Sequence, residues 1–199
     1  YLPTDDLVEA ILDLKPRQAI FDGEDVIAFY TQDTQEEIDF DEYTQIEIGA
    51  KALFKIEHTW DIFSKNHRAI ELDYMLITQD RESVKIPKSV QVINPENIFI
   101  EEGATLNFCT LNTSEGPIYI GKDAEVMEGA LIRGPFALCE GATVKMGSKI
   151  YTGTTIGPFC KVGGEINNAV LMAYSNKGHD GFLGNSVLGE WCNIGADSN

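Results

Sequence analysis

The sequence predicts an α+β N-terminal segment followed by a parallel β-helix of hexapeptide repeats. Branched apolar residues recur at every sixth position, without a slip, through eight successive repeats. The residue four positions after each of them is mostly small, and residues 1–92 do not show this period. The apolar ladder consists of Ile120, Val126, Ile132, Leu138, Val144, Ile150, Ile156 and Val162.

A spacing of six residues matches neither an α-helix, with apolar residues about every 3.6 positions, nor a half-buried strand, with one about every 2. It is typical of a parallel β-helix, in which each hexapeptide forms a short strand and a turn and three hexapeptides close one coil. We therefore expect the ladder to fill the dry centre and the mostly small residues to lie where the chain bends. Those residues are Ala124, Ala130, Phe136, Ala142, Ser148, Thr154, Cys160 and Ile166.

The first part of the α+β segment is predicted to contain a helix and a hairpin. Residues 3–6 (PTDD) predict a helix start, because a threonine can cap the helix and acidic residues favour the positive end of its dipole. Residues 7–14 then carry one apolar face at helical spacing. Residues 18–21 and 26–30 are strand-like and are joined by an Asp-Gly turn signal. The acidic residues 33–42 are predicted to form a loop.

The second part of this segment is predicted to contain a helix over residues 56–72 and a strand over residues 73–78. The side chains expected to point inward from the helix are Trp60, Phe63 and Ile70. We interpret His58 and His67 as surface or packing residues rather than as ligands. Residues 85–96 contain two prolines and are predicted to connect this segment to the repeats.

Two interruptions break the hexapeptide repeat, at residues 112–117 and at residues 164–181. The positions at which the ladder is expected to resume are Phe182, Leu188 and Ile194. We therefore place the β-helix domain at residues 93–199 and the α+β domain at residues 1–92. The repeat stops at Asn199 without a capping element, which repeat arrays need, so we expect the chain to be a fragment.

The second interruption contains the polar run of residues 175–181 (SNKGHDG). One interpretation is a polar turn held by two glycines. The other is a binding loop, because loops of a solenoid leave the coil on one side and often form the binding face. His179 is then the candidate base, since histidine titrates near neutral pH. Lys177 and Asn176 add candidate substrate-binding donors beside it.

Composition excludes some classes of partner and site. The net charge of −17 and the pI of about 4.4 disfavour a nucleic-acid or anionic-membrane surface, which needs clustered Lys and Arg. No apolar run approaches the roughly 18 residues of a membrane span. The four cysteines show no CxxC spacing, so we expect neither a metal site nor disulfides and favour a reducing, cytoplasmic location.

Residues 176–199 (NKGHDGFLGNSVLGEWCNIGADSN) resemble the acceptor-site segment of bifunctional N-acetylglucosamine-1-phosphate uridylyltransferases/glucosamine-1-phosphate acetyltransferases. That family shows Gly/Asn-His, then an aromatic residue with Leu/Ile-Gly-Asp, then Asn-Ile-Gly-Ala-Gly. The first 90 residues resemble, more loosely, the later part of a sugar nucleotidyltransferase domain, through residues 1–11 (YLPTDDLVEAI) and 19–30 (AIFDGEDVIAFY). The resemblance implies that the β-helix is left-handed and that residues 1–92 are a partial nucleotidyltransferase-like α/β domain.

The resemblance also assigns residue roles. His179 takes the place of the family's catalytic base, and Asn193 that of an asparagine that contacts the sugar. Arg133 is either a phosphate ligand, as an arginine on an earlier rung is in the family, or a solvated rung edge. Phe182 replaces a sugar-contacting tyrosine, and Asn167 falls where the family has a phosphate-binding lysine.

Two further departures bear on the substrate. Lys161 or Lys177 is a candidate to replace the missing phosphate-binding lysine, and Asp197 replaces the glycine that follows Asn-Ile-Gly-Ala. The family's acetyl-CoA contacts fall beyond Asn199. These departures leave two candidates for the acceptor. One is glucosamine 1-phosphate, and the other is a different amino sugar phosphate.

Three functions follow as hypotheses. The first is an enzyme of UDP-N-acetylglucosamine-type nucleotide-sugar biosynthesis that transfers acetyl from acetyl-CoA to an amino sugar phosphate and, in the full-length protein, also transfers a nucleotide. The second keeps only nucleotidyl transfer, with Mg²⁺ and a nucleoside triphosphate, and makes the β-helix an assembly or regulatory module. The third is a non-enzymatic assembly protein. No glycine-rich phosphate loop follows a first strand, so we expect that motif outside this chain. Members of this family pack three β-helices side by side, so the resemblance predicts a homotrimer.

Overall fold

The computed structural model describes residues 1–32, 38–49 and 53–197. The chain folds as two compact units, Tyr1–Glu57 and His58–Asn199, which we call the N-terminal unit and the solenoid unit. This division by packing falls before the predicted boundary at residues 92/93, which stays a prediction about the domains of the sequence. The predicted fold class, an α+β N-terminal segment followed by a parallel β-helix, is confirmed. Its left-handedness stays an expectation of the resemblance.

The N-terminal unit contains the predicted helix and hairpin. Its elements are α1 (Asp5–Leu12), β1 (Gln18–Asp22), β2 (Asp25–Tyr30), a 3₁₀ turn (Phe40–Glu42) and β3 (Thr44–Ile46). Thr4 caps α1, since its side chain accepts a hydrogen bond from the backbone N of Leu7 at 3.4 Å. β1 pairs antiparallel with β2 and parallel with β3, and Ala19 and Ile20 of this central strand are fully buried. Of the predicted acidic loop, residues 33–37 lie outside the described residues.

Two helices open the solenoid unit, α2 (Asp61–Ser64) and α3 (Asn66–Thr78). The strand predicted over residues 73–78 is wrong, because those residues form the end of α3. Every fourth residue from Asn66 through Ile70 to Thr78 is buried or half-buried, so the inward-facing side keeps a helical spacing to the last turn. The inward prediction holds for Ile70 but is wrong for Trp60, whose 56% exposed ring stacks on His58 instead.

Fifteen short strands follow. They are β4 (Gln91–Ile93), β5 (Ile98–Ile100), β6 (Thr105–Leu106), β7 (Thr110–Asn112), β8 (Ile118–Ile120), β9 (Glu125–Val126), β10 (Leu131–Arg133), β11 (Phe136–Leu138), β12 (Thr143–Val144), β13 (Lys149–Ile150), β14 (Thr154–Ile156), β15 (Lys161–Val162), β16 (Glu165–Leu171), β17 (Asn176–Lys177) and β18 (Phe182–Leu188). The predicted connector over residues 85–96 is therefore too long. β4 lies within it because Val92 already pairs in register with Leu111 and packs on the core.

The strand register confirms three hexapeptides per coil. Ile120 pairs in parallel with Leu138, and Leu138 with Ile156, each eighteen residues later. The whole ladder is at most 2% exposed, and all eight of the residues expected at the bends are fully buried. The β-helix core is thus one continuous column of apolar side chains, as the period of six requires.

The three walls of the solenoid differ in their cover. α3 packs on the wall of β11 and β14, where the Asn66 side-chain amide donates to the Gly153 carbonyl at 2.8 Å and to the Thr155 hydroxyl at 3.0 Å. The second wall, which we call the polar wall, is the five-stranded sheet β6, β9, β12, β15 and β17. The third, which we call the open wall, consists of β4, β7, β10 and β13 and continues into the first half of β16 and of β18. Among the described helices, none is both long and apolar enough to cross a membrane.

Candidate functional site

The coil changes shape where the second interruption was predicted. The prediction that residues 164–181 form a loop is wrong. This stretch contains β16 and β17, and both strands pair in parallel with strands of the coil below. Val162 pairs with Lys177, fifteen residues later, whereas the coils below repeat after eighteen. One coil of the solenoid is therefore three residues shorter than its predecessors.

Most of the shortening lies at Gly163–Gly164. These two residues alone connect β15 to β16, whereas four residues connect β9 to β10 and β12 to β13 in the coils below. The next connection, residues 178–181, again has four residues and lies directly on the glycine pair. A Cβ added to Gly163 would lie 2.7 Å from the carbonyl O of Gly178, and one on Gly164 would lie 2.6 Å from that of Gly181. We call residues 178–181 the His179 corner, and only glycines leave room for it.

The inward ladder beyond this point differs from the prediction. Leu183, rather than Phe182, pairs with the buried Ile166, and the Phe182 side chain is 64% exposed. The predicted position is wrong by one residue because the inward residues of β18, Leu183 and Leu188, are five positions apart rather than six. Leu188 and Ile194 are partly buried, as expected. The inward position above Val162 is taken by Lys177, which is only 5% exposed.

A cleft of about 230 Å³ lies against the His179 corner. It is lined by Lys177, His179, Asp180, Gly181, Phe182, Leu183, Ile194, Gly195 and Asp197. His179 is exposed and sits in the bend between β17 and β18. Leu183 and Ile194 supply an apolar floor, whereas Asp180 and Asp197 supply carboxylates, so the cleft suits a polar ligand that carries an amine.

Lys177 connects two levels of the solenoid. Its Nζ donates to the carbonyl O of Gly163 at 3.1 Å and to that of His179 at 2.5 Å. Burial lowers the pKa of the Lys177 ammonium, and the nearby Asp180 carboxylate opposes that shift. Of the residues predicted to bind substrate, Lys177 and Phe182 thus join His179 in the cleft.

Asn176 and Asn193 lie beside the cleft but do not line it. They form a parallel bridge on the polar wall, and the backbone N of Ile194 donates to the carbonyl O of Asn176 at 2.8 Å. Lys177 and Ile194 follow them in the chain and point inward, so the two asparagine side chains face outward. Asn193 is exposed, which leaves its amide open to a ligand on the polar wall.

Arg133 and Asn167 lie away from His179. β10, which carries Arg133, is three inter-strand steps from β18, or roughly 14 Å at the usual strand spacing. The Arg133 guanidinium is exposed, forms an ion pair with Glu115 at 3.4 Å and lines a separate groove of about 290 Å³ on the open wall. Asn167 pairs in register with Gly184 and does not line the cleft.

One exposed feature has no counterpart in the predictions. The rings of Phe159, Tyr174 and Trp191 form a stacked column on successive coils, with centroids 5.3 and 4.5 Å apart and planes within 11°. All three residues have a left-handed backbone, at φ of 57–60°. Each aromatic residue precedes a cysteine or serine at a bend, and this repeated pair was the available sequence signal.

The part of the chain that the structure describes contains no group of three or more His, Cys, Asp or Glu side chains placed to hold a metal ion. The lining of the cleft includes a histidine, a lysine and two aspartates, which are side chains able to transfer protons, to form hydrogen bonds and to carry charge.

Residues 1–82 match the family described as sugar nucleotidyl transferase. The matched stretch covers the N-terminal unit together with α2 and α3, and the β-helix follows it. Over these residues the chain is thus similar to sugar nucleotidyltransferases, which agrees with the looser of the two resemblances. The combination suggests a transferase of sugar-nucleotide biosynthesis. No curated protein matches the chain.

Proposed function

We propose that the full-length protein transfers acetyl from acetyl-CoA to the amine of an amino sugar phosphate in the cleft, with His179 as general base. One observation carries the proposal: the shortened coil at Gly163–Gly164 seats an exposed histidine at the edge of a cleft with an apolar floor. The match of residues 1–82 to sugar nucleotidyl transferases supports a sugar phosphate as the acceptor.

The chemistry balances with the groups in the cleft. The amine nitrogen attacks the thioester carbon, so a C–N bond forms and the C–S bond breaks. The imidazole of His179 takes the proton that the nitrogen loses, and the departing thiolate of coenzyme A recovers a proton. Asp180 and Asp197 favour the approach of a substrate amine as its ammonium form, which loses one proton to solvent before the free amine attacks. Phe182 offers an exposed ring to the apolar face of a sugar.

The other residues predicted to bind substrate lie at different distances from the cleft. Asn176 and Asn193 are placed to contact a sugar that extends onto the polar wall. Arg133 and Asn167 do not line the cleft. A phosphate contact from Arg133 requires a ligand that spans about three strand spacings along the open wall, whereas one from Asn167, on the strand next to β18, requires about one. Acetyl-CoA contacts are expected beyond residue 199, where the resemblance puts them.

We also propose a cytoplasmic homotrimer. Ile93, Leu131 and Tyr151 on the open wall, and Phe182 where that wall continues, are 41–64% exposed. An exposed apolar wall of this kind is typical of an interaction surface. Light scattering of the full-length protein at micromolar concentration tests the trimer, and a monomer there contradicts sites shared between copies.

The family match also favours a second function. Because it covers residues 1–82 and not the cleft, the alternative is nucleotidyl transfer, with the β-helix as an assembly or regulatory module. That reaction requires Mg²⁺, a nucleoside triphosphate and a loop that binds its phosphates. Release of pyrophosphate from a nucleoside triphosphate and a sugar 1-phosphate, with no thiol released from acetyl-CoA, supports the alternative.

The test of acetyl transfer uses thiol release by the full-length protein in the presence of amino sugar phosphates. His179→Ala lowers the rate by about 10² or more, the usual contribution of a general base. The matched control is His67→Ala, which removes a partly exposed histidine that pairs with Glu71 on α3. If His179→Ala releases thiol at the wild-type rate, His179 is not the general base.

A further inference from the structure

The core column beneath the cleft contains one charged side chain. Val126, Val144, Val162 and Lys177 occupy equivalent inward positions on successive strands of the polar wall. Ile194 follows on the next coil, because Asn193 bridges to Asn176. With the leucine of β6, which pairs with Val126, the column is leucine, valine, valine, valine, lysine and isoleucine. An aliphatic residue fits every one of these positions, so the lysine is an exception to the pattern that builds the solenoid.

A buried ammonium ion is unfavourable unless hydrogen bonds replace its water. Lys177 is 5% exposed, and its Nζ finds two such partners, the carbonyl oxygens of Gly163 and His179. A valine or isoleucine would fill the same space without this requirement. Fold stability alone therefore does not explain the lysine.

The two partners of the ammonium join different levels of the coil. Gly163 belongs to the shortened connection below, and His179 belongs to the corner above it. The pairing is reciprocal at the lower level, because the backbone N of Gly163 donates to the carbonyl O of Lys177 at 2.8 Å. The ammonium thus fastens the main chain at His179 to the coil beneath.

Two further charged side chains, those of Asp180 and Lys145, lie near this contact. Asp180 follows His179 and acts electrostatically on the ammonium. Lys145 approaches from the lower coil, with its Nζ 3.6 Å from the position that a Cβ on Gly178 would occupy. With two N–H groups of Lys177 committed to carbonyls, only one of the three donors of a lysine ammonium remains for a ligand in the cleft.

We propose that Lys177 is a positioning residue that fixes the His179 corner from inside the core. This inference rests on the proposed function for its effect on catalysis. It replaces the role that the sequence suggested for Lys177, that of a phosphate ligand, by one exerted through the main chain of His179.

The test is Lys177→Met in the full-length protein, which keeps the length of the side chain and removes the ammonium. Amide hydrogen exchange at residues 178–181 rises at least tenfold, while exchange at residues 145–148 in the coil below stays unchanged. The midpoint of urea unfolding stays the same or rises, because replacing a buried charge by an apolar side chain is often neutral or stabilising. In the acetyl-transfer assay kcat falls about tenfold or more, with little change in the KM for acetyl-CoA.

Lys122→Met is the matched control, since Lys122 is exposed in the connection between β8 and β9 and does not line the cleft. Unchanged exchange at residues 178–181 in Lys177→Met overturns the inference whatever the rates are. If His179→Ala leaves acetyl transfer unchanged, the proposed function fails, but the exchange measurement still tests the positioning role.

A second measurement needs no variant. In wild-type protein with ¹⁵N-labelled lysine, one side-chain ammonium should give a resonance protected from exchange with water. Lys177→Met should remove it, or, if that variant does not fold, assignment to Lys177 through its own carbon chain serves instead. A spectrum with no protected ammonium contradicts the contacts on which the inference stands.

Discussion

Replacing Gly164 by alanine should displace the His179 corner, and Gly147 provides a matched control. Both glycines have a left-handed backbone, with φ of 75° at Gly164 and 72° at Gly147, and they occupy the same bend of successive coils. A Cβ on Gly164 would lie 2.6 Å from the carbonyl O and 2.9 Å from the N of Gly181. A Cβ on Gly147 would have no heavy atom within 4 Å.

The two substitutions share one destabilising contribution and differ in the other. Placing an alanine at a left-handed position costs about 1–2 kcal/mol in either variant. Gly164→Ala adds overpacking against the backbone of Gly181, typically about 1–3 kcal/mol. We therefore expect the free energy of unfolding to fall by about 2–5 kcal/mol in Gly164→Ala and by about 1–2 kcal/mol in Gly147→Ala. The entropy that alanine removes from the unfolded chain is the same in both variants and does not affect the comparison.

Urea denaturation of the chain, followed by far-UV circular dichroism, measures the difference between the two variants, provided the slopes m agree. Amide hydrogen exchange then shows where in the chain the two variants differ. The additional exchange of Gly164→Ala over Gly147→Ala should be concentrated at residues 178–181. Equal losses of stability in the two variants, or excess opening elsewhere, would show that the glycine pair does not seat the His179 corner.

Two further predictions concern the core and the thiols. Leu138→Ala should lower the free energy of unfolding by about 2–5 kcal/mol because Leu138 is fully buried, whereas Leu76→Ala on α3, 52% exposed, should change it by no more than about 0.5 kcal/mol in the same urea titration; similar losses would contradict the inward ladder. Burial raises the pKa of the Cys109 and Cys139 thiols to about 11, so at pH 8 only about one part in a thousand of each is thiolate, and the exposed Cys192 should react with Ellman's reagent much faster than either. The labelling of Cys109 and Cys139 should speed up as the pH rises towards 11, and a fast phase that survives Cys192→Ser would contradict this order of reactivity.

The ladder was predictable because one physical requirement repeats. Each coil needs one inward side chain per wall, and the parallel pairing places Ile120, Leu138 and Ile156 one above another. A spacing of six that persists through eight repeats therefore identifies both the fold and the buried residues. Neighbouring positions such as Thr154 and Ser148 are buried with them because the bends crowd the chain.

The prediction failed where the length of a bend changes. The hexapeptide count placed the inward residue six positions before Leu188, at Phe182. β18 instead follows the five-residue step of β16, from Ile166 to Leu171, which moves that role to Leu183. The period is a property of regular coils and contains no information about a coil that departs from it. The close approach of the His179 corner is visible only once the two levels are stacked.

The same failure explains where the candidate site lies. Regular coils present repeated side chains on three walls and give no reason for one level to bind a ligand rather than another. Because the connection at Gly163–Gly164 is short and has no side chains, the four-residue His179 corner packs directly on it. This places His179 at the edge of a cleft that Leu183 and Ile194 also line. The inward side chain at this level reaches carbonyl groups of both connections, and the Lys177 ammonium donates a hydrogen bond to each of them. The lysine in the valine column and the glycine pair below it are thus two parts of one arrangement, which breaks the repeat in order to hold His179.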